Sequence, residues 1–230
     1  MPTDTFTINA LELGPMDNFV YLIHDTASNR AAVVDPAWEV DKIIELARDK
    51  DVQITDILLT HSHFDHINGV EHVLEKYDAQ VHLLKQEAQF WGHYQDASSA
   101  HHGGNIIKLG NTDIAILHTP GHTPGSACYQ LANQLITGDT MFVFGCGRCD
   151  LDGGDPNVMF DTLRRLGDNL PKETIIHPGH NYAEKSTSSL AEQIAGNPFM
   201  HFDDPQAFAR YRMHDHDKIR HTPYHPVPKA

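Results

Sequence analysis

The stretch Thr60-His61-Ser62-His63-Phe64-Asp65-His66-Ile67-Asn68 constrains this chain more than any other, because four side chains of metal-ligand type fall within six residues. The run Ile57-Leu58-Leu59 before it is short, apolar and bounded by polar residues, which predicts a strand. Asn68 to Tyr77 after it places apolar residues at helical spacing. The cluster is therefore expected on a strand-to-helix turn, where α/β sheets place their chemistry. A turn lets His61 and His63 point one way while Asp65 and His66 point another. That suits two metals side by side better than one closed tetrahedral site. Imidazole and carboxylate ligands suit Zn(II), Mn(II) or Fe(II) without choosing among them. The chain has 18 His, so a His-rich polar loop is the competing explanation, and the segments downstream decide against it.

Those segments repeat one arrangement: a strand ends, a turn follows, and a ligand sits on the turn. Strands are expected at Phe6 to Leu13, Asn18 to His24, Ala31 to Val34, Ile54 to Leu59 and Gln80 to Leu84. A hairpin, Ile106 to Leu109 with Thr112 to His118, crosses Gly110-Asn111. It leads into Thr119-Pro120-Gly121-His122-Thr123-Pro124-Gly125, where Pro and Gly fix a turn with His122 at its tip. Strands Ala127 to Leu131 and Gln134 to Thr137 then run into Gly138-Asp139-Thr140, and a strand from Thr174 to His177 ends in Pro178-Gly179-His180. Five His and two Asp suffice for two metals, with Asp139 bridging them. Helices are expected at Val40 to Arg48, after Gly69, at Lys85 to Trp91 and at Pro156 to Leu166. Asp35, before Pro36, reads equally as a carboxylate orienting a ligand His or as a plain turn residue. Gly92 to Gly104, with His93, His101 and His102, reads as a polar surface loop.

At 230 residues the chain is long enough for one domain with a full core. The expected division is a hydrolase domain over 1–198 and a C-terminal helix with a His/Pro-rich tail over 199–230, packed on that domain or trailing from it. A formal net charge of -14 disfavours binding to phosphate backbones, so no nucleic-acid partner is expected. No membrane span or secretory leader is legible, which makes a cytoplasmic location the expectation. Cys128, Cys146 and Cys149 do not form a secreted disulfide framework. Cys146-x-x-Cys149 lies in a Gly-rich loop without a partner CxxC and reads as structural, and Cys128 as core. Oligomeric state is left open.

Thr-His-Ser-His-Phe-Asp-His, Pro-Gly-His122, Gly-Asp139-Thr and Pro-Gly-His180, in this order, resemble the metallo-β-lactamase superfamily. The resemblance implies an α/β fold, an αβ/βα four-layer sandwich of two mixed β-sheets flanked by helices, with metals at one edge. Over roughly residues 6 to 185 the chain looks more like the glyoxalase II-like hydrolases, chiefly through Gly138-Asp139-Thr140-Met141-Phe142-Val143-Phe144-Gly145-Cys146-Gly147-Arg148. Leu13 to Asn18, Val34 to Glu39 and Gly145-Cys146-Gly147-x-Cys149 also resemble acyl hydrolases encoded in polyketide clusters, which act on carrier-bound acyl groups. Carried over residue by residue, the resemblance assigns His61, His63 and His122 to one metal, Asp65, His66 and His180 to the other, and Asp139 to both. Arg148 and Tyr182 match positions that contact glutathione. Asp150 stands where animal enzymes of that type carry an aromatic residue, and Met213 to Ala230 lacks their basic pair. Thioester hydrolysis is thus implied more firmly than glutathione recognition.

The expected enzyme is a dinuclear metallohydrolase, with two divalent cations, Zn(II) first and Fe or Mn as alternatives. It would cleave a small-molecule thioester or an acyl-carrier-protein thioester with a metal-bridging hydroxide. Asp65 is expected to orient the nucleophile and take its proton. The competing functions on the same fold are a mononuclear iron persulfide dioxygenase and a lactone or β-lactam hydrolase; a non-catalytic binding module is disfavoured by the full ligand set. For the tail, a helix around Asp203 to Met213 is expected, followed by an irregular solvated end carrying His214, His216, His221 and His225.

Overall fold

The computed structural model describes residues 5–95 and 99–229; residues 96–98 of the polar loop lie outside the described residues. Twelve strands form two six-stranded sheets. The first holds β1 (Phe6–Leu13), β2 (Asn18–Asp25), β3 (Arg30–Val34), β4 (Gln53–Leu58), β5 (Gln80–Leu84) and β6 (Ala100–His101), side by side in chain order. Its first three strands pair antiparallel and its last three add on in parallel. The second sheet runs β12-β11-β10-β9-β8-β7. Its strands are β7 (Ile106–Leu109), β8 (Thr112–His118), β9 (Ala127–Leu131), β10 (Gln134–Gly138), β11 (Ile175–Pro178) and β12 (Ser188–Ser189). All its pairs are antiparallel except β10 with β11.

Sequence pattern explains the layering. Val20 and Leu22 of β2 pack on one side of the sheet, against residues of α1 (Val40–Asp49) and α3 (Val70–Lys76) such as Ile43 and Val73. Phe19, Tyr21 and Ile23 face the other way and meet Ile114, Ile116, Tyr129 and Ile136 of the second sheet. Both faces of β2 are therefore buried, which is why its residues read as a continuous apolar run and not as an alternation. Behind the second sheet, Met159, Leu163 and Leu166 of α5 (Pro156–Asn169) and Phe208 of α7 (Pro205–Arg210) complete the fourth layer. The order helices, sheet, sheet, helices is the expected four-layer sandwich of two mixed sheets. The remaining helices are α2 (Phe64–Ile67), α4 (Lys85–Trp91), α6 (Leu190–Gly196) and α8 (His216–Ile219). Among the described residues no helix is long and apolar enough to cross a membrane.

Three segments differ from expectation. The polar loop 92–104 carries β6, which adds to the sheet edge, so His101 is not a solvated loop residue: it stacks on His82, with the His82 Nδ1 and His101 Nε2 atoms 2.9 Å apart. Helix α6 was not foreseen, although Ser189-x-x-Glu192 forms a complete capping box at its start. Beyond α7 the chain continues as a π-helical turn, Tyr211–Asp215, and α8. This buries His216 among Phe199, Tyr211 and Tyr224, while His214, His221 and His225 are exposed. The Tyr224 stretch then runs beside Tyr182, with backbone bonds Tyr224 N–H to Tyr182 O (2.7 Å) and Glu184 N–H to Tyr224 O (3.2 Å).

Candidate metal centre

All seven expected ligands lie at strand ends on one edge of the sandwich. β4 ends at Leu58 and delivers His61 and His63; α2 begins at Phe64 and carries Asp65 and His66 in its single turn. The loop after β8 supplies His122, the residue after β10 is Asp139, and the turn after β11 supplies His180. Two glycines permit the approach. Gly138 has φ +48°, and a Cβ there would lie 2.4 Å from Thr60 Oγ1; one on Gly179 would lie 2.4 Å from Asp139 Oδ1.

Two groups form. In the first, the donor atoms of His61, His63 and His122 lie within 4.8 Å of one another, and those of Asp65, His66 and His180 form a second group of the same spread. Asp139 stands between them: Oδ1 is 3.3 Å from His66 Nε2, and Oδ2 is 3.6 Å from His122 Nε2 and 3.4 Å from His180 Nε2. His63 Nδ1 and His122 Nε2 approach to 2.8 Å.

In four of the five rings, those of His61, His66, His122 and His180, the outer nitrogen is tied down, which fixes the inner one. His122 Nδ1 donates to the Arg148 carbonyl (2.7 Å) and His180 Nδ1 to the Met16 carbonyl (2.8 Å). His66 Nδ1 is 2.9 Å from Asp35 Oδ2, and Asp35 also accepts Thr60 N–H (2.8 Å) and Thr60 Oγ1–H (2.6 Å). Asp35 thus orients a candidate ligand histidine and is more than a turn residue. It adopts φ +51°, a conformation that Asp tolerates better than most residues. Sequence reading missed two further organisers. Glu87 of α4, fully buried, accepts from Ser62 N–H (2.7 Å), Ser62 Oγ–H (2.6 Å), Thr123 Oγ1–H (2.7 Å) and Gly125 N–H (3.0 Å), tying the two histidine loops together. Asn18 donates its Nδ2 to Asp65 Oδ2 (2.9 Å).

The donor set fits divalent cations. His61 Nε2 and Asp139 Oδ1 are buried without a hydrogen-bond partner, a costly state that a cation would relieve. Burial, with the neighbouring imidazoles, pushes His61 and His63 down and brings His122 to about 4, which favours the neutral ring, whereas at His66 and His180 Asp139 outweighs burial and raises both. Burial opposes the charge on Asp139, yet His180 and His66 beside it hold its carboxyl well below the usual carboxylate range. His63 and Asp65 remain partly exposed, and Phe64 between them is 70 % exposed, so the centre opens to solvent on the α2 side. A cavity of about 640 Å³ beside Arg30, Arg48 and Tyr77 contains none of the seven candidate ligand residues.

The two expected substrate contacts lie at this edge in different states. Tyr182 stacks on His180 at 4.6 Å and 10° and meets Phe142 edge-on. The Arg148 guanidinium is exposed and pairs with Asp150 through two bonds (2.9 and 2.6 Å). Cys128, Cys146 and Cys149 are free and buried, and burial pushes all three thiols up, Cys128 to about 11 and Cys149 to about 12. That agrees with a structural role for them.

Comparison with known proteins places this geometry. The metallo-beta-lactamase superfamily domain matches residues 13–180. The chain is 32% identical over 201 residues to the probable polyketide biosynthesis zinc-dependent hydrolase PksB of Bacillus subtilis, covering 87% of this chain and 89% of that protein. It is 32% identical over 204 residues to a hydroxyacylglutathione hydrolase of Cereibacter sphaeroides, covering 88% and 76%. Among solved structures, ETHE1 from Myxococcus xanthus superposes with a TM-score of 0.83 at 29% identity, covering 90% of both chains.

Proposed function

The chain belongs to the metallo-beta-lactamase superfamily, and on that footing we propose that this metal-dependent hydrolase is dinuclear and cleaves thioesters. The observation that carries the proposal is the pair of ligand groups with Asp139 within 3.6 Å of imidazole nitrogens from both. His61, His63 and His122 would hold one cation, Asp65, His66 and His180 the other, and Asp139 both. When bound there, two cations would supply a water nucleophilic at neutral pH and a positive charge for a carbonyl oxygen.

The chain's own residues do the rest. Asp65 is partly exposed at the open side and takes the proton of the attacking water on its carboxylate. A thiolate leaves without a strong general acid, because its pKa is only ~8.5. Tyr182, whose ring stacks on His180, is a poor acid: burial first, then Asp139 and Asp65, raise it above the ordinary tyrosine value. A thiolate asks little of Tyr182 or Asp65 as acids, so the site suits a thioester better than an amide. Arg148 lies where it can meet a carboxylate of glutathione or a phosphate of a pantetheine arm, both of which accept paired hydrogen bonds. Of the two relatives, the one named a hydroxyacylglutathione hydrolase supports a glutathione carrier, and the one named a probable polyketide biosynthesis zinc-dependent hydrolase supports a zinc-dependent hydrolase. A small thioester or an acyl carrier protein is accordingly the proposed partner.

A parallel assay of the metal-loaded protein, with zinc and with iron, tests the proposal. It should include S-lactoylglutathione, acyl-carrier-protein thioesters, homoserine lactones and a cephalosporin, with metal content measured. Turnover of a thioester at two metals per chain is expected. Oxygen uptake with glutathione persulfide at one iron per chain would establish the mononuclear iron dioxygenase instead. Turnover of the lactone or cephalosporin alone would establish those substrates.

A further inference from the structure

We infer that Asn18, held in one orientation by Trp38, is the positioning residue for Asp65, and so sets the cation affinity of the Asp65–His66–His180 group independently of the His61–His63–His122 group. This rests on the dinuclear reading above.

Asn18 begins β2 and is 1% exposed. Its Nδ2 makes two bonds to one residue, 2.9 Å to Asp65 Oδ2 and 3.1 Å to the Asp65 carbonyl. A carboxylate held by both its own oxygen and its backbone has little freedom to swing. The backbone of Asn18 also pairs with His180 in an isolated bridge, and the next residue, Phe19, donates its N–H to the Gly179 carbonyl at 2.8 Å. One residue thus touches two of the three ligands in the second group, one delivered by each sheet.

A carboxamide can flip, and flipped it would set its carbonyl against the Asp65 carboxylate. Trp38 prevents this. Its Nε1–H lies 2.8 Å from Asn18 Oδ1, and an indole nitrogen is a donor only. The oxygen of Asn18 must therefore face Trp38 and its NH2 must face Asp65. Trp38 is itself fixed at some cost. It sits at φ +62°, a conformation unusual for a bulky residue, with its backbone N–H bonded to Asn68 Oδ1 at 2.6 Å. Its ring lies so close to Gly14 that a Cβ there would be 2.4 Å from it. Strain of this kind persists where the surrounding structure over-determines a residue, and functional sites collect it. The first group is held by other residues: the outer nitrogens of His61 and His122 bond to Thr60 and to the Arg148 carbonyl, and Glu87 joins the loops of His63 and His122. Loss of the Asn18 clamp should consequently be felt by one group only.

The experiment titrates full-length, metal-free protein with Zn(II) against a competing chelator, for the wild type, Asn18→Ala and Trp38→Phe. The wild type should take up two equivalents. In Asn18→Ala one equivalent should keep its affinity while the other weakens by about 10- to 100-fold, the usual range for removing a hydrogen-bond partner of a ligand. Trp38→Phe keeps an aromatic ring but frees the carboxamide, and should weaken the same equivalent by about threefold to tenfold, the worth of one hydrogen bond. In both, kcat for a thioester at limiting zinc should fall with KM unchanged. Two equivalents at wild-type affinity in both variants would overturn the inference, and so would equal weakening of both equivalents, which marks a general loosening of the edge. Should Asn18→Ala fail to fold, Trp38→Phe decides by itself. A wild type that takes up a single equivalent overturns the dinuclear function, and this inference with it, before any variant is compared.

Discussion

His122 Nδ1 donates to the carbonyl oxygen of Arg148 across 2.7 Å, while the guanidinium of the same Arg148 is paired with Asp150. One residue therefore orients a candidate ligand through its backbone and offers a charge to the rim through its side chain. The two roles can be separated, because a substitution at position 148 keeps the carbonyl.

Arg148→Ala should accordingly leave metal content unchanged. An exposed ion pair such as Arg148–Asp150 contributes only ~0–1 kcal/mol, so a charged carrier can displace Asp150 cheaply. Losing one such contact should raise KM for a glutathione or pantetheine thioester by about threefold to tenfold, with kcat kept. Asp150→Asn should act in the opposite direction and lower that KM by freeing the guanidinium. Steady-state kinetics on the charged thioester and on a neutral N-acetylcysteamine thioester provide the check. Equal changes on both would assign Arg148 to support of the loop.

Glu87 connects the His63 loop to the His122 loop through neutral donors alone. Glu87→Ala leaves several buried donors unpaired, at ~1–3 kcal/mol each, so a loss of about 3 kcal/mol or more is expected. For a chain of this length that is a fall in Tm of about 6–12 °C. Differential scanning calorimetry of the metal-free protein measures it. A change below about 2 °C would mean that the two loops hold themselves without Glu87.

What could be read in the sequence, and what could not, divides along chain distance. His61, His63, Asp65 and His66 are legible because they are neighbours, and His122, Asp139 and His180 because each sits in a short Pro/Gly/Asp turn with its own signature. The four-layer order followed from resemblance, while the doubly buried β2 gives its physical reason. Glu87 was invisible because its partners Ser62 and Thr123 lie 25 and 36 residues away, and a Glu inside a short helix looks like a solvated face. Asn18 was invisible for the same reason, being 47 residues from Asp65. His101 was misjudged because a two-residue edge strand has too few residues to show a period. The burial of His216 depends on a π-helical turn, whose spacing no amphipathic template contains.

Asp25 fastens the end of β2 to the β7–β8 hairpin of the other sheet. It accepts from Ser28 N and Oγ, Asn111 N and Thr112 Oγ1. Burial opposes its charge, but these bonds outweigh burial and lower its carboxyl below the ordinary aspartate value. With the folded-state pKa below the unfolded one, its contribution is fully present above the unfolded value, ~3.9, and is lost as pH falls through the folded value. Urea unfolding of the metal-free chain should show the wild type more stable than Asp25→Asn by a constant margin from pH 5 to 7, a margin that narrows below about pH 4. Parallel curves down to pH 3 would show that the charge of Asp25 is immaterial.

Asp65 carries the sharpest test of mechanism, because it is asked to be both ligand and proton acceptor. Its Oδ2 lies 3.4 Å from His66 Nε2 and 3.4 Å from His180 Nε2 and receives Asn18 Nδ2 at 2.9 Å. Asp65→Asn preserves shape but removes the charge and half of the accepting capacity, and it turns an NH2 toward groups that are themselves donors. Weaker binding of one Zn(II) is the first expected consequence. Proton transfer is the second, and zinc excess separates the two. If Asp65 only binds metal, saturating Zn(II) should restore kcat. If it also takes the proton of the attacking water, kcat at full occupancy should stay down by about 100-fold or more, the usual worth of a positioned general base. KM should change little, since the lost interaction belongs to the transition state. Metal analysis and kinetics on the same samples distinguish the cases, and a normal kcat at two metals per chain would reduce Asp65 to a ligand and leave the proton acceptor to be found elsewhere at the edge.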